Sequence, residues 1–213
     1  MLKKIKCAVC GAENIVSDEL QVNPLIAPNS RGAKLYFDLW HFPIQKCSEC
    51  GYASLDISVV DTQNVAYLKA SEYAEMFRLL NAARPNMVEK YYDASRYYQL
   101  INDQKHQALC LLQAGDLVFN EIFYWKEYVL TEDENCLELY ELARTLYSKG
   151  VEILEDYCKG RSDTDMELLL AGVLADSEEG VKLSNILLNK LSRSQLTDDQ
   201  REILNFLRSD NNF

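Results

Sequence analysis

The sequence lacks the common catalytic motifs and has few histidines. It has only two histidines, and it contains no Walker loop, no GxSxG elbow and no GxGxxG motif. We expect His106 in a solvated or capping position at the start of a helix, and His41 in a loop or packed against neighbouring residues. Because no catalytic constellation is present, we expect a protein that is not an enzyme.

Long apolar runs are also missing. No stretch of eighteen apolar residues occurs, and the basic start MLKKIK is not followed by an apolar stretch of the kind found in signal peptides. We therefore expect a cytoplasmic protein without a membrane partner. In a reducing cytosol the seven cysteines are not expected to form disulfides, so paired cysteine spacing indicates metal or redox chemistry.

Acidic residues outnumber basic ones only after residue 60. Residues 1–60 contain six Lys or Arg and six Asp or Glu, so the rest of the chain carries the whole net charge of −11. An acidic surface repels phosphate backbones and anionic lipids. The charge therefore predicts that nucleic acid is not a partner.

Proline is rare after residue 60, and the hydrophobic pattern changes there. Three of the four prolines come earlier. Residues 35–39 and 53–59 alternate in period two, which predicts two half-buried strands, and NPLIAPNSRGA at residues 23–33 predicts a loop. Beyond residue 60 the apolar residues follow helical spacing. We predict a mainly α protein with two domains, a small β-rich metal-binding module in residues 1–60 and a helical domain in residues 61–213.

The helices have recognisable starts. Pro85 is placed to begin a helix with its apolar face at Val88, Tyr91, Tyr92, Ser95 and Tyr98. We predict a central buried helix over residues 107–130 and further helices near residues 135–158, 164–175, 179–192 and 197–208. Asp163 or Thr164 is a candidate cap, and Thr197 with Gln200 forms a candidate capping box.

Glycine spacing raises the question of a helical repeat. Gly115, Gly150 and Gly180 are 35 and 30 residues apart, which brackets the period of a tetratricopeptide unit, and each could precede a second helix. The helical domain is therefore predicted to be either a tetratricopeptide-like array or an irregular bundle.

Two cysteine pairs carry the strongest chemical signal. KCAVCG contains Cys7 and Cys10, and KCSECG contains Cys47 and Cys50, each pair followed by a glycine. A tight CxxC turn supplies two thiolates to a tetrahedral metal, and the glycine permits the positive φ that turns backbone N–H groups toward the sulfurs. We predict that Cys7, Cys10, Cys47 and Cys50 bind one metal ion, and we assign no role to the other three cysteines.

The metal is predicted to be zinc, with iron as the alternative. A closed set of four thiolates is typical of structural zinc sites and leaves no coordination position for a catalytic water. CSECGY resembles a rubredoxin knuckle, so a rubredoxin-like electron carrier or a redox sensor is the second hypothesis. Zinc is favoured because no flavin or nicotinamide motif accompanies the site.

CAVCG, a long insertion with YFDLW, and CSECGYA before a helical array together resemble an uncharacterised bacterial family, the domain of unknown function 2225. The family has proline after the first cysteine of a knuckle, where this chain has Ala8 and Ser48. The resemblance implies a bacterial cytosolic protein with a zinc-ribbon-like head, and it brings no established activity.

Tyrosine is concentrated in one stretch of the helical region, since ten of the thirteen lie between Tyr67 and Tyr147. We expect them to pack between helices, although a recognition surface is the alternative. An acidic groove containing tyrosines would suit a basic peptide. The sequence therefore favours a non-enzymatic zinc-binding interaction protein whose helical domain binds a protein or peptide.

Overall fold

The computed structural model describes residues 2–17, 43–61, 85–128, 134–175 and 178–210. In these residues the chain is mainly helical with a small β region, so the predicted fold class is confirmed. The strands are β1 (Leu2–Lys6), β2 (Glu13–Ser17), β3 (Gln45–Lys46) and β4 (Ala53–Ser54). The helices are α1 (Pro85–Leu100), α2 (Gln104–Tyr128), α3 (Glu134–Lys159), α4 (Thr164–Leu174), α5 (Glu178–Leu191) and α6 (Asp198–Asp210).

The chain divides into two compact units, and the division falls between Ile153 and Leu154 within α3. The described part of the first unit contains the four strands and the helices up to Ile153, and that of the second contains the end of α3 and helices α4 to α6. The predicted domain boundary near residue 60 stays a prediction. The predicted strand at 35–39, the loop before it and His41 lie outside the described residues.

The strands form two short antiparallel hairpins. β1 pairs with β2 from Leu2 opposite Ser17 to Lys6 opposite Glu13, and β3 pairs with β4 over two residue pairs. Each hairpin turns through one CxxCG sequence. The connection between the strands of a hairpin is therefore the segment that carries two cysteines.

The predicted strand at residues 53–59 is correct only at its start. After Ser54 the chain bends, because the Asp56 carboxylate accepts hydrogen bonds from the Ser58 N–H at 2.9 Å and the Ser58 hydroxyl at 2.6 Å. This side-chain turn competes with strand pairing. Val59, which was expected on the buried face, is 51% exposed.

Helix α1 buries the face predicted for it, since Val88, Tyr91, Tyr92, Ser95 and Tyr98 are all buried, and it packs against α2. A three-residue turn joins the two helices. In that turn Asn102 adopts a φ of +57°, which asparagine tolerates better than most residues.

Gly115 and Gly150, which were considered as markers of a helical repeat, lie inside helices. A Cβ at Gly115 of α2 would be 3.2 Å from the Ala143 carbonyl oxygen and the Tyr147 nitrogen of α3. A Cβ at Gly150 of α3 would be 2.9 Å from Leu112 Cγ of α2. The prediction that each of these two glycines precedes a second helix is wrong, because both lie inside helices, where they permit close helix packing. The tetratricopeptide-like repeat stays a prediction.

The second unit has the predicted caps. The Asp163 carboxylate accepts from the Met166 N–H at the start of α4. Thr197 and Gln200 form the reciprocal capping box at α6, with distances of 3.0 and 3.2 Å. Its core contains apolar residues of α4, α5 and α6: Leu168, Ala171, Leu188, Leu191, Ile203, Leu204 and Leu207. Of the helices described, none combines the length and apolarity needed to cross a bilayer.

Candidate metal centre

The four predicted ligand cysteines converge at the turns of the two hairpins. Their Sγ atoms all lie within 4.8 Å of one another. The Cys7 and Cys50 sulfurs are 3.7 Å apart, and those of Cys10 and Cys47 are 3.6 Å apart. Four sulfurs around a tetrahedral metal at about 2.3 Å are separated by about 3.8 Å. The cluster is therefore close enough to hold a metal ion.

Each hairpin turn has the same backbone hydrogen bonds. In the first knuckle, residues 7–11, the Cys7 N–H donates to the Ala12 carbonyl at 2.9 Å and the Gly11 N–H to the Cys7 carbonyl at 2.8 Å. In the second knuckle, residues 47–51, the corresponding bonds join Cys47 to Tyr52 at 2.8 Å and Gly51 to Cys47 at 3.0 Å. Every residue of the first knuckle thus has an equivalent forty positions later.

The two glycines that close the knuckles have nearly identical backbone angles. The φ of Gly11 is +76° and that of Gly51 is +77°. Residues with a Cβ rarely adopt this conformation. The glycine in each CxxCG sequence is therefore required by the turn that brings its two cysteines together.

The four sulfurs have unequal surroundings. Cys7 and Cys47 are buried, Cys50 is half-buried, and Cys10 is exposed. Burial raises the pKa of Cys7, and it raises the pKa of Cys50 to about 12. Burial also opposes ionisation of Cys47, but hydrogen bonds from the Cys50 and Glu49 N–H groups and from the Asn14 side chain lower its pKa to about 6. Metal binding requires all four thiolates, so loading this cluster releases protons.

Sequence reasoning missed Asn14, whose side chain contacts both hairpins. This buried residue of β2 donates from Nδ2 to the Ala12 carbonyl at 3.0 Å and to Cys47 Sγ at 3.5 Å. Its Oδ1 accepts from the Ser48 N–H at 3.0 Å and the Ser48 hydroxyl at 3.2 Å. No strand is predicted at residues 13–17, so no sequence signal was available here; an asparagine in a strand is unusual only once the strand is known.

The second hairpin is attached to α1 by an ion pair beside a cysteine of the cluster. Lys46, which directly precedes Cys47, places its Nζ 2.8 Å from the Asp93 carboxylate and 3.2 Å from that of Glu89. Asp93 is buried, and this burial raises its pKa although Lys46 opposes the shift. The cysteine cluster is thereby connected to the first helix through the residue next to Cys47.

Tyrosines of α1 also pack against the second hairpin. The rings of Tyr52 and Tyr97 meet edge to face at 5.1 Å, and the Tyr98 hydroxyl accepts from the Leu55 N–H at 3.1 Å. The Tyr97 hydroxyl accepts from the Asp61 N–H at 3.3 Å. These two tyrosines therefore join the helix to the segment that carries Cys47 and Cys50.

The remaining candidate residues have structural surroundings. The His106 ring contacts the Asp103 carboxylate at 2.7 Å and stacks on Tyr98, and the His106 N–H is capped by Asp103 at 3.2 Å. Cys110 is buried, and this burial raises its pKa well above the ordinary value. Across the described ranges, the four-cysteine cluster is the one group of potential metal ligands that converges.

Comparison with known proteins identifies no relative: no family model matches the chain, and neither the curated proteins nor the solved structures yielded a significant match. The resemblance to the domain of unknown function 2225 therefore stays a prediction. The cysteine geometry is the main basis for a functional proposal.

Proposed function

We propose that this protein is a non-enzymatic zinc-binding interaction protein. Cys7, Cys10, Cys47 and Cys50 hold one structural zinc, and the helical region binds a protein or peptide. The convergence of four sulfurs within 4.8 Å of one another, with two pairs at 3.6 and 3.7 Å, carries the proposal. Four thiolates complete the coordination of zinc, so no position remains for a water molecule or a substrate.

Zinc is chosen over other metals for two reasons. Closed four-thiolate sites are the common structural zinc type. The hairpins are also short, with β3 and β4 only two residues each, and isolated hairpins of this size are marginally stable in water. Metal binding supplies the folding free energy that such a small segment lacks.

Two features support an interaction role. The net charge of −11 suits a partner segment that carries basic residues. On α5, Leu183 and Ile186 lie one turn apart and are 50% and 65% exposed. An apolar pair on an exposed helix face is a candidate contact for such a segment.

The second candidate is a rubredoxin-like iron electron carrier. Cys10 is exposed, so an iron ion in this cluster would have a ligand at the surface through which an electron could pass. Native mass spectrometry and a visible spectrum of the purified protein separate the two candidates. One zinc without colour supports the first, whereas one iron with thiolate charge-transfer bands and a reversible one-electron couple replaces it with the second.

Cysteine substitutions test the ligand assignment. Cys47→Ser removes one proposed ligand, and we expect it to lose the metal and the protease resistance of the N-terminal segment while most helical circular dichroism remains. The control is Cys158→Ser, because Cys158 is a half-buried cysteine of α3 outside the cluster. Retained zinc and unchanged protease resistance in Cys47→Ser would refute the proposal.

Peptide binding tests the interaction role. We expect an array of basic peptides to contain binders whose affinity falls with increasing salt. We expect Leu183→Ser, which removes an apolar contact without adding charge, to weaken their binding. A matched change at the exposed residue Asn185, which carries no apolar side chain, should weaken it less. Preference for acidic peptides, or an absence of binders in the array, would contradict this role.

A further inference from the structure

The two knuckles are equivalent, but the strand residues that follow them are not. Counting forty positions from Asn14 leads to Ser54, and both residues are buried. Asn14 makes four hydrogen bonds within the metal-binding segment, whereas the Ser54 hydroxyl has no hydrogen-bond partner in the described part of the chain. An amide therefore occupies one of two equivalent positions, and a shorter hydroxyl occupies the other.

The backbone N–H groups at the equivalent positions 8 and 48 have different acceptors. In the second knuckle, the N–H of Ser48 donates to Asn14 Oδ1 at 3.0 Å. In the first knuckle, the equivalent N–H of Ala8 donates to the Ile57 carbonyl at 2.8 Å. The first knuckle is therefore held by a backbone acceptor, and the second depends on the side chain of Asn14.

We propose that Asn14 is the positioning residue of the metal site, which fixes the second knuckle against the first hairpin and donates an N–H to the Cys47 sulfur. The inference rests on the proposed metal binding and adds a residue that is not a ligand. An N–H directed at a thiolate sulfur withdraws negative charge from it, and contacts of this kind orient ligands and tune a metal site. Because the Asn14 amide is hydrogen-bonded at both its nitrogen and its oxygen, it holds Cys47 in one orientation.

Two substitutions and one matched control test this role. Asn14→Asp keeps the acceptor for Ser48 but places an oxygen where Nδ2 faces the sulfur. Asn14→Ser shortens the side chain and makes positions 14 and 54 identical. Ser54→Ala alters the equivalent position, where no hydrogen bond is lost. Zinc affinity is measured for each full-length protein by competition with a chromophoric chelator.

We expect both Asn14 variants to bind zinc about tenfold or more weakly, the usual cost of removing a residue that supports a ligand. Ser54→Ala should stay within about twofold of the original protein, since it removes no bond to the site. In the cobalt-loaded protein, Asn14→Ser should shift the thiolate-to-metal charge-transfer band to lower energy, because the Cys47 sulfur becomes richer in electrons. A role limited to folding would not move this band.

A measurement on the unaltered protein tests the inference even if the Asn14 variants fail to fold. In the ¹¹³Cd-loaded protein, the side-chain amide proton of Asn14 should show scalar coupling to the metal through the N–H···S bond. Absence of that coupling, or Asn14 variants with unchanged affinity and an unchanged band, would overturn the inference. Unaltered protein that binds no metal would instead overturn the proposed function.

Discussion

Gly11 shows how much of the site depends on single backbone angles. Its φ of +76° is unfavourable for any residue with a Cβ, and no atom lies within 4 Å of the place where that Cβ would be. Gly11→Ala therefore introduces backbone strain without a steric clash. We expect a cost of about 1 kcal/mol, which corresponds to about fivefold weaker zinc binding if folding and metal binding of the knuckle are coupled. Chelator competition measures the change.

The control for this prediction is Gly160→Ala. A Cβ at Gly160 also meets nothing within 4 Å, and that residue lacks a positive φ. It should therefore leave the zinc affinity unchanged. Equal effects of the two substitutions would show that backbone conformation is not the reason for the glycine in the first knuckle.

Residue-level prediction succeeded where the information was local. The CxxCG spacing placed all four cysteines in turns because each turn is encoded by five adjacent residues. Asn14 was missed because its partners include Ser48, which is 34 positions away, and no local pattern records such a contact. The ion pair between Lys46 and Asp93 was missed for the same reason.

The contact between α2 and α3 depends on the absence of side chains at two glycines. A Cβ at Gly150 would lie 2.9 Å from Leu112 Cγ and 3.0 Å from the Leu112 nitrogen, so backbone as well as side chain must shift. We expect Gly150→Ala to lower the free energy of unfolding by about 1 to 2 kcal/mol, because overpacking exceeds the gain in helix propensity. Urea denaturation followed by circular dichroism measures the loss.

Gly115→Ala provides a graded comparison on the facing helix. Its nearest contacts would be at 3.2 Å, so its cost should be smaller than that of Gly150→Ala. If both substitutions stabilised the protein, helix propensity would outweigh packing, and the close approach of α2 and α3 would be incorrect.

The connection between β3 and α1 leads to a prediction about ion pairs. Lys46→Met preserves the apolar stem but leaves the buried Asp93 without its closest cation. We expect a loss of about 2 kcal/mol in the free energy of unfolding, measured by urea denaturation with excess zinc, because a buried charged group is left unsatisfied. The control is Lys159→Met, whose exposed pair with Asp156 should contribute about 0.5 kcal/mol or less. Similar losses in both variants would show that the Lys46 pair is not a significant support.

Helices and strands could be predicted where the spacing of apolar or capping residues defined them. The face of α1 and the capping box of α6 followed directly from residue spacing, and both are observed. The strand at 53–59 failed because the Asp56 side chain forms a local turn that alternation of apolar residues does not reveal. The prediction for Gly115 and Gly150 was wrong for a related reason. A glycine occurs both next to a helix start and at a close contact between helices, and its spacing does not distinguish the two.

Metal removal tests whether the metal stabilises the whole molecule or only the two hairpins. The described hairpins contain few residue pairs, whereas the core of α4, α5 and α6 contains apolar side chains and no cysteine of the cluster. We expect a zinc chelator to increase hydrogen exchange throughout residues 2–17 and 43–61, because the small hairpins depend on the metal for their stability. Exchange in residues 164–175 and 178–210 should change little, and most helical circular dichroism should persist.

A second signal should come from α1 in the same experiment. Tyr97 and Tyr98 accept hydrogen bonds from Asp61 and Leu55, so loosening of the second hairpin should alter the near-ultraviolet tyrosine spectrum. Adding zinc after the chelator has been removed should restore both the exchange protection and the spectrum. If exchange in the hairpins were unchanged by chelation, the metal would contribute no folding free energy. If it rose equally in residues 164–175, the metal would instead be required by the whole chain, and the four cysteines would be more than a local support.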